Sequence, residues 1–371
     1  MYFALNTLSI RTKIMQLNFL SEAHIIGTVI SFIIGVFVVQ YVIQFSEKNN
    51  LMDKPGERKI HSHPVPRLGG VAIWLSTMLT FGALILLSYY PYGSLLSGIL
   101  LGSSLMFLLG LVDDIYNLNA KFKLFIQITV VAIVFCLGVR ITNLYIPFIG
   151  LFALPIWLSY IITTLWIVGI TNAINFIDGV DGLAGSVITI SSVTLGLIAT
   201  CMVPTNTVST LIAFILVGSM LGFLTYNFNP AKNFMGDSGA LFAGFILSTL
   251  SVVFMMKTDN ITMYTPILIL SVPILDITFS SIRRLIKGIS PFTADAGHIH
   301  HKLLNMGLSQ NKAVAVLTAF ALLSGAGATY FVSSDLIKYF IYAVGIICVM
   351  LILNLMARNK GEADNVDSKC D

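Results

Sequence analysis

Acidic side chains occur in this sequence beside long apolar runs, where a charge is costly. Asp113 and Asp114 end one run in Gly-Leu-Val-Asp-Asp, and Asp237 precedes another. Adjacent carboxylates repel each other, and the C-terminal end of a helix is the negative end of its dipole. The pair therefore requires a cation, either a metal ion or a lysine such as Lys121 or Lys123. The alternative is an ordinary solvated helix end, but ionisable groups at membrane depth are usually functional.

Amides and acids recur at every third position in one segment, as Asn172, Asn175, Asp178 and Asp181. On a helical stretch this spacing places them on one side, and the glycines at 179, 182 and 185 would let a ligand or a neighbouring helix approach the backbone closely. A loop-and-cap interpretation explains the Asp-Gly turns but not the asparagines. We therefore predict that the row binds a ligand.

Asn233 and Phe234 lead into Met-Gly-Asp-Ser-Gly, whose acid is Asp237. Asp237 could simply cap the helix that follows. As one of several acidic elements predicted on the same membrane face, however, it is also a candidate metal ligand.

Imidazoles are concentrated in one tract, since His298, His300 and His301 are three of the six histidines. The tract could bind a transition metal or start a polar helix. No cysteine lies nearby, however, and the acids elsewhere suit a hard ion such as Mg²⁺. We therefore predict that these histidines donate hydrogen bonds to phosphate oxygens.

A basic segment that includes Lys54 and Arg67 precedes the second apolar run. It suits phosphate recognition, and it is equally explained as a marker of the cytoplasmic membrane face. Asp276 lies inside a later apolar run, where it could pair within the bundle, and the sequence leaves its role open.

The elements that position these residues must be membrane-spanning helices. Only 10% of the 371 residues are charged and the mean hydropathy is +0.89, whereas a soluble domain carries roughly 25% charged residues. This composition excludes soluble globular, disordered and fibrous proteins. The four cysteines lack metal-ligand spacing, so a cysteine-based zinc site and a disulfide framework are not supported. The net charge of +4 gives no argument for nucleic-acid binding.

Apolar runs of about 20 residues, the length that crosses a bilayer, predict an all-α bundle of eleven spans. They lie near 24–45, 69–90, 95–112, 124–142, 152–171, 183–203, 209–227, 238–257, 264–282, 313–332 and 337–356. Residues 1–23 form an N-terminal segment, 24–357 a single integral-membrane domain, and 358–371 a polar tail. Residues 143–152 are predicted to be a connector.

The basic residues predict an orientation. Of the 21 lysines and arginines, 16 follow odd-numbered spans, which places those loops and the C-terminus in the cytoplasm and the N-terminus outside. The acids fall on the same side, so we predict one composite cytoplasmic site. Without a P-loop or a dinucleotide motif, these parts suggest metal-assisted phosphoryl transfer between a nucleotide and a lipid. A transporter is the alternative from a different class, but its polar groups would gather at the midplane.

The motifs occur in an order that resembles a known family. Lys-Pro-Gly, Pro-Val-Pro-Arg-Leu-Gly-Gly, Gly-Leu-Val-Asp-Asp, Asn-Phe-Ile-Asp-Gly-Val-Asp-Gly-Leu-Ala, Phe-Met-Gly-Asp-Ser-Gly-Ala and His-Ile-His-His follow one another over residues 52–301. This combination resembles the polyprenyl-phosphate N-acetylhexosamine-1-phosphate transferase superfamily. The first and last motifs are most similar to the undecaprenyl-phosphate alpha-N-acetylglucosaminyl 1-phosphate transferase branch. The phospho-N-acetylmuramoyl-pentapeptide transferases are similar but have a different first loop.

The resemblance implies transfer of N-acetylglucosamine 1-phosphate from UDP-N-acetylglucosamine to undecaprenyl phosphate, with release of UMP. The expected cofactor is Mg²⁺, with Mn²⁺ as a substitute. The product would initiate a cell-envelope polysaccharide, such as teichoic acid or lipopolysaccharide, at the bacterial plasma membrane. UDP-N-acetylmuramoyl-pentapeptide or another UDP-N-acetylhexosamine is the alternative donor. Partners are the two substrates and the bilayer, without nucleic acid, and a homodimer is compatible with the resemblance.

The resemblance also implies residue roles. Asp113 matches the acid proposed to deprotonate the lipid phosphate, and Asp114 would support it or the metal. The resemblance leaves open whether Asp113 acts as a base in one step or as a nucleophile in two. Asp237 matches the metal ligand. The remaining matches are a nucleotide-side row (Asn172, Asn175, Asp178, Asp181), an aromatic near the uracil (Phe234) and pyrophosphate contacts (His298, His300, His301). Lys54, Arg67, Lys121, Lys123 and Asn233 complete the predicted substrate-binding set. Where relatives of this branch often have a third acid, this chain has Asn117.

Overall fold

The computed structural model describes residues 22–49, 51–53, 64–87, 94–146, 150–201, 207–256, 260–288 and 297–332. These residues form the helices α1 (Glu22–Lys48), α2 (Gly69–Leu86), α3 (Ser94–Tyr116), α4 (Ala120–Cys136), α5 (Ile156–Ile177), α6 (Leu183–Cys201), α7 (Thr207–Asn227), α8 (Gly236–Met255), α9 (Asn260–Ile269), α10 (Ser271–Ile286), α11 (Ile299–Asn305) and α12 (Gln310–Val332). The strands β1 (Met52–Asp53) and β2 (Val65–Pro66) pair antiparallel, as do β3 (Asn143–Ile146) and β4 (Gly150–Ala153). The predicted all-α helical bundle is thereby confirmed.

Eight helices in these ranges are long and apolar enough to cross a bilayer, namely α1, α2, α3, α5, α6, α7, α8 and α12. Two further predicted spans are not among these eight. The span near 124–142 contains α4, whose 17 residues are at the short end of the range that crosses a bilayer. The span near 264–282 is divided between α9 and α10, which meet at Leu270. Pro266 lies inside α9, and a proline in a helix interior removes a backbone hydrogen bond. The predicted span near 337–356 and the polar tail lie outside the described residues.

Helix α8 lies at the centre of the bundle. Every residue of α8 except Asp237 is buried, and α3, α5 and α2 pack around it. A helix that is apolar on all sides is typical of such a core position. The one accessible side chain therefore lies at the N-terminal end of the most enclosed helix.

Small residues bring α1 and α7 together. Gly27, Ser31 and Gly35 recur at intervals of four on α1. Ser31 and Gly35 face Gly218 and Gly222 on α7, and Gly27 faces Ile215 of the same helix. A Cβ atom on Gly222 would lie 2.8 Å from the Phe32 carbonyl oxygen. Membrane helices associate through such close backbone approach because burial of apolar side chains gives no advantage in lipid.

The segment predicted as a connector forms a hairpin. Strands β3 and β4 pair from Asn143 with Ala153 to Ile146 with Gly150. Gly150 has a φ of +97°, a conformation that costs glycine little. The hairpin lies at the end of α4 opposite to Asp113 and Lys123.

Candidate active site

Two carboxylates share one ammonium group at the junction of α3, α4 and α8. Lys123 Nζ donates to Asp113 Oδ2 at 2.6 Å and also to Asp237 Oδ2. All three side chains are mostly buried but remain accessible. Lys123 is thus the cation that the acidic pair requires, whereas Lys121 is exposed and its backbone N–H donates to Asn119 at the start of α4.

Arg67 supplies the second positive charge. Its Nε lies 3.2 Å from Asp114 Oδ1 and its Nη2 lies 3.5 Å from Asp237 Oδ1. Burial opposes the charge of the guanidinium, but the carboxylates of Asp114 and Asp237 outweigh it and raise the pKa of Arg67 above its ordinary value. The segment before α2 therefore contributes a permanently charged group to the cluster.

Asp114 contacts the beginning of α8 instead of the open part of the cluster. Its two oxygens accept hydrogen bonds from the backbone N–H groups of Asp237 and Ser238 at 2.9 and 3.0 Å. The side chain is 1% exposed. The second acid of the pair is thus enclosed, while Asp113 faces the accessible side.

Glycines allow α2 and α3 to approach the beginning of α8 closely. A Cβ atom on Gly110 would lie 2.5 Å from Ser238 Cα, and one on Gly239 would lie 2.9 Å from Gly70 Cα. Both distances are shorter than Cβ atoms tolerate, so α2 and α3 can pack against α8 only with these residues.

The predicted row of amides and acids is divided between two roles. Asn175 Nδ2 lies 3.3 Å from Asp237 Oδ2, and Asp178 follows at the end of α5. Burial raises the pKa of Asp178 well above its usual range, and the negative charges of Asp237 and Asp114 add to this effect. Asn175 therefore belongs to the cluster through Asp237, and Asp178 lies at the end of the same helix.

The other two members of the row hold neighbouring elements. Asn172 Nδ2 donates to Gln127 Oε1 at 2.7 Å, which links α5 to α4. Asp181 Oδ2 accepts hydrogen bonds from Asn229 Nδ2 at 2.9 Å and from the Ala231 N–H at 3.1 Å. In this structure both side chains make protein contacts instead of joining Asp237.

The histidine tract packs against the loop after α5. His298 Nδ1 lies 2.6 Å from Asp276 Oδ2, and Asp276 Oδ1 accepts the Ile299 N–H at 2.7 Å. The ring of His300 stacks on that of His298, with centroids 5.7 Å apart, and lies against Gly179. The tract is therefore fixed beside the row that contains Asp178.

Protonation of His300 is disfavoured in this position. Burial has the largest effect and the ring of His301 the second largest, and together they lower the pKa of His300 to about 4. His300 is consequently neutral at physiological pH, whereas His301 is partly exposed beside it.

Asn233 and Phe234 support the fold of the site. Asn233 is 0% exposed, and its carbonyl oxygen accepts a hydrogen bond from Asn227. The backbone of Phe234 pairs with Pro66 and Gly69, which fixes the segment that contains Arg67. The side-chain amide of Asn233 is buried and has no hydrogen-bond partner among the described residues, and its contact with substrate stays a prediction. Lys54 lies outside the described residues.

The sequence did not reveal the anchoring contacts of three side chains. Asp276, Gln127 and Asn229 anchor His298, Asn172 and Asp181, respectively. Asp276 and Gln127 are polar residues within apolar runs, and this was the available signal for them. Their partners are distant in sequence and could not be identified without the fold.

The cluster contains oxygen donors that suit a hard cation. They are the carboxylates of Asp113 and Asp237 and the side-chain amide of Asn175. Within the described ranges, no three His, Cys, Asp or Glu side chains converge as metal ligands, and Lys123 stands between the two carboxylates. Mg²⁺ usually binds one or two carboxylates and keeps several waters. The donor set therefore fits Mg²⁺, whereas zinc prefers four tightly arranged nitrogen or sulfur ligands.

Comparison with known proteins gives consistent matches. Residues 96–255 match the model of glycosyl transferase family 4. The chain is 37% identical over 302 residues to a probable undecaprenyl-phosphate N-acetylglucosaminyl 1-phosphate transferase of Bacillus subtilis, covering 80% of this chain and 82% of the relative. It is 31% identical over 335 residues to the undecaprenyl-phosphate alpha-N-acetylglucosaminyl 1-phosphate transferase of Thermotoga maritima, covering 90% and 98%. For the enzyme of the same name from Escherichia coli K12 the identity is 29% over 318 residues, covering 81% and 83%.

Proposed function

The chain belongs to glycosyl transferase family 4, and on this basis we propose that it transfers N-acetylglucosamine 1-phosphate from UDP-N-acetylglucosamine to undecaprenyl phosphate. UMP is the second product. The reaction initiates a cell-envelope polysaccharide. The names of the relatives support the acceptor lipid and the transferred sugar phosphate.

The observation that carries the proposal is the cluster of Asp113, Lys123, Asp237 and Arg67 at one end of an apolar helical bundle. A lipid phosphate can reach such a position from the bilayer, and a nucleotide can reach it from water. The positive groups can bind the phosphates, and the carboxylates can bind a cation or accept a proton.

In the reaction, an oxygen of undecaprenyl phosphate attacks the β-phosphorus of the UDP-sugar. The bond from that phosphorus to the oxygen of UMP breaks, and UMP leaves. In this one-step route Asp113 is the base that deprotonates the lipid phosphate. In the alternative two-step route the Asp113 carboxylate itself attacks the β-phosphorus and displaces UMP, and the lipid phosphate then displaces the carboxylate. Lys123 lies 2.6 Å from Asp113 and keeps this carboxylate in position beside Asp237.

Asp237, with Asn175 beside it, would hold the Mg²⁺ ion, for which Mn²⁺ is the expected substitute. When bound, the ion neutralises charge on the pyrophosphate. Asp178 belongs to the nucleotide side, Phe234 to the uracil and the histidine tract to the pyrophosphate. Asp181 and Asn172 support the nucleotide side through the contacts that they make with neighbouring elements.

The chain is a multi-pass membrane protein, and we assign the cluster to the cytoplasmic face of the bacterial plasma membrane. Eleven spans, with the N-terminus outside and the C-terminus inside, account for the distribution of lysine and arginine. UDP-sugars are made in the cytoplasm, so this orientation exposes the cluster to the donor.

The test is a transfer assay with the purified protein, undecaprenyl phosphate and UDP-N-acetylglucosamine. UMP should be released with Mg²⁺, and release should stop on chelation and return when Mg²⁺ or Mn²⁺ is added. Asp113→Asn serves as the inactive control. UMP release no greater than that of this variant would contradict the proposal.

A panel of UDP-sugars distinguishes the donors. UDP-N-acetylmuramoyl-pentapeptide and UDP-N-acetylgalactosamine are the informative competitors. The proposed function requires that UDP-N-acetylglucosamine give the highest kcat/KM. Preference for the pentapeptide donor would move the protein to the neighbouring branch of the superfamily.

A further inference from the structure

The hydrogen-bonding capacity of Asp114 is used within the protein. Oδ1 accepts the Asp237 N–H at 2.9 Å and lies 3.2 Å from Arg67 Nε, while Oδ2 accepts the Ser238 N–H at 3.0 Å. The side chain is 1% exposed. A substrate or a metal ion could reach this carboxylate only if these contacts were broken.

Helix α8 lacks a cap from its own segment. The residue before it, Met235, has helical backbone angles and makes no side-chain cap bond. The first N–H groups of a helix have no partner within the helix, and an anion is favoured at this positive end. Asp114 therefore supplies from α3 the cap that α8 lacks.

The backbone at Gly236 is adapted to this contact. Gly236 has a φ of +69°, a backbone conformation that residues other than glycine rarely adopt. A Cβ atom there would lie 2.6 Å from Asp114 Oδ2. Glycine therefore permits both the turn into α8 and the close approach of the carboxylate.

The neighbouring acid is placed differently. Asp113 is 12% exposed, and its Oδ2 contacts Lys123. Its Oδ1 accepts the Leu118 N–H at 2.7 Å. Asp113 therefore keeps an accessible side, which Asp114 does not have.

We propose that the two adjacent acids have separate tasks, and that Asp114 is a positioning residue that caps α8 and thereby holds Asp237 in the cluster. Asp113 is the acid that contacts substrate. The roles of Asp113 and Asp237 rest on the proposed function, whereas the capping does not depend on it. Asp114 is then neither a base nor a metal ligand, in contrast to the role that its position in the sequence implies.

The test compares Asp114→Asn and Asp114→Ala with Asp113→Asn. Asparagine is a good cap and can still accept one of the two N–H groups, whereas alanine can accept neither. In chelator and without substrates, the thermal midpoint of the purified protein should fall by roughly 2–4 °C in Asp114→Ala and by about half as much in Asp114→Asn. Asp113→Asn should stay within about 1 °C of the wild type.

Turnover should follow the same order. Because small displacements of reacting groups are costly, we expect a loss of about 10-fold in Asp114→Asn and about 100-fold in Asp114→Ala. Asp113→Asn should lose nearly all activity while its midpoint is retained. The opposite behaviour of the two asparagine variants is the signature of the proposal.

Two results would overturn it. Unchanged midpoints in both Asp114 variants would show that Asp114 does not cap α8. Equal, complete inactivity of the Asn and Ala variants would indicate a direct chemical role. If Asp114→Ala does not fold, the midpoint and turnover of Asp114→Asn decide the question. If the wild type releases no UMP, the proposed function fails, but the midpoints still test the cap.

Discussion

At the residue scale, His300 shows how burial sets a protonation state beside the site. Its ring lies against Gly179 and beside His298 and His301. Asp276 favours a proton on His300, but burial and the neighbouring rings oppose it and lower the pKa to about 4. A neutral ring can accept one hydrogen bond and donate another, so His300 suits contact with the loop of Asp178.

This pKa predicts a loss of stability in acid. An unfolded histidine has a pKa near 6.5. Between pH 6.5 and 4, His300 is therefore protonated in the unfolded chain and neutral in the folded protein. Stability from this group is therefore present above pH 6.5 and is lost as the pH falls, by about 2 kcal/mol at pH 5. The measurement is the thermal midpoint of wild type and His300→Gln at pH 7 and pH 5. The wild type should lose more than the variant, and equal losses would contradict the assignment.

Side-chain chemistry could be predicted from the sequence only in part. The acids at the ends of apolar runs indicated a cluster, and the structure brings Asp113 and Asp237 together with Lys123. The spacing of the amides and acids did not reveal that Asn172 binds Gln127. A spacing of three places side chains on one side of a helix, but the partner opposite each of them comes from another helix.

At the element scale, the close packing of α3 against α8 gives the next prediction. A methyl group on Gly110 would lie 2.5 Å from Ser238 Cα and would push α3 away from the start of α8. Gly110→Ala should therefore lower turnover by about 100-fold, since it separates Asp113 from Asp237. Gly169→Ala on α5 is the matched control because, apart from its chain neighbours and the backbone of its own helix, no described atom lies within 4 Å of the added methyl group. Comparable UMP release by the two variants would show that this packing does not set the geometry.

The helices were predicted from the sequence more completely than the hairpin and the break within the ninth span. Apolar runs predicted helices because only a helix satisfies its own backbone in lipid. The hairpin of β3 and β4 was missed, since four-residue strands carry little pattern. The division of the ninth predicted span into α9 and α10 was also missed, although Pro266 within the run was a signal for it.

At the scale of the whole molecule, the orientation in the membrane can be tested with α4. Lys121 lies in the first turn of this helix and Arg140 lies four residues beyond its C-terminal end, and both are exposed. We expect Arg140→Cys, in a chain without its natural cysteines, to react with an impermeant thiol reagent in intact cells. Lys121→Cys should react only in inside-out vesicles. Labelling of Lys121→Cys from outside the cell would reverse the proposed topology.

The burial of α8 has a further consequence for how the site responds to bilayers of different thickness. Bilayers vary in thickness, and helices in contact with lipid respond by tilting or bending. Every residue of α8 except Asp237 is shielded from lipid by other helices. The position of Asp237 along the membrane normal is therefore set by the helices that pack around α8, and not by contact with the acyl chains. A change in bilayer thickness should shift Asp237 less than it shifts residues on helices in contact with lipid.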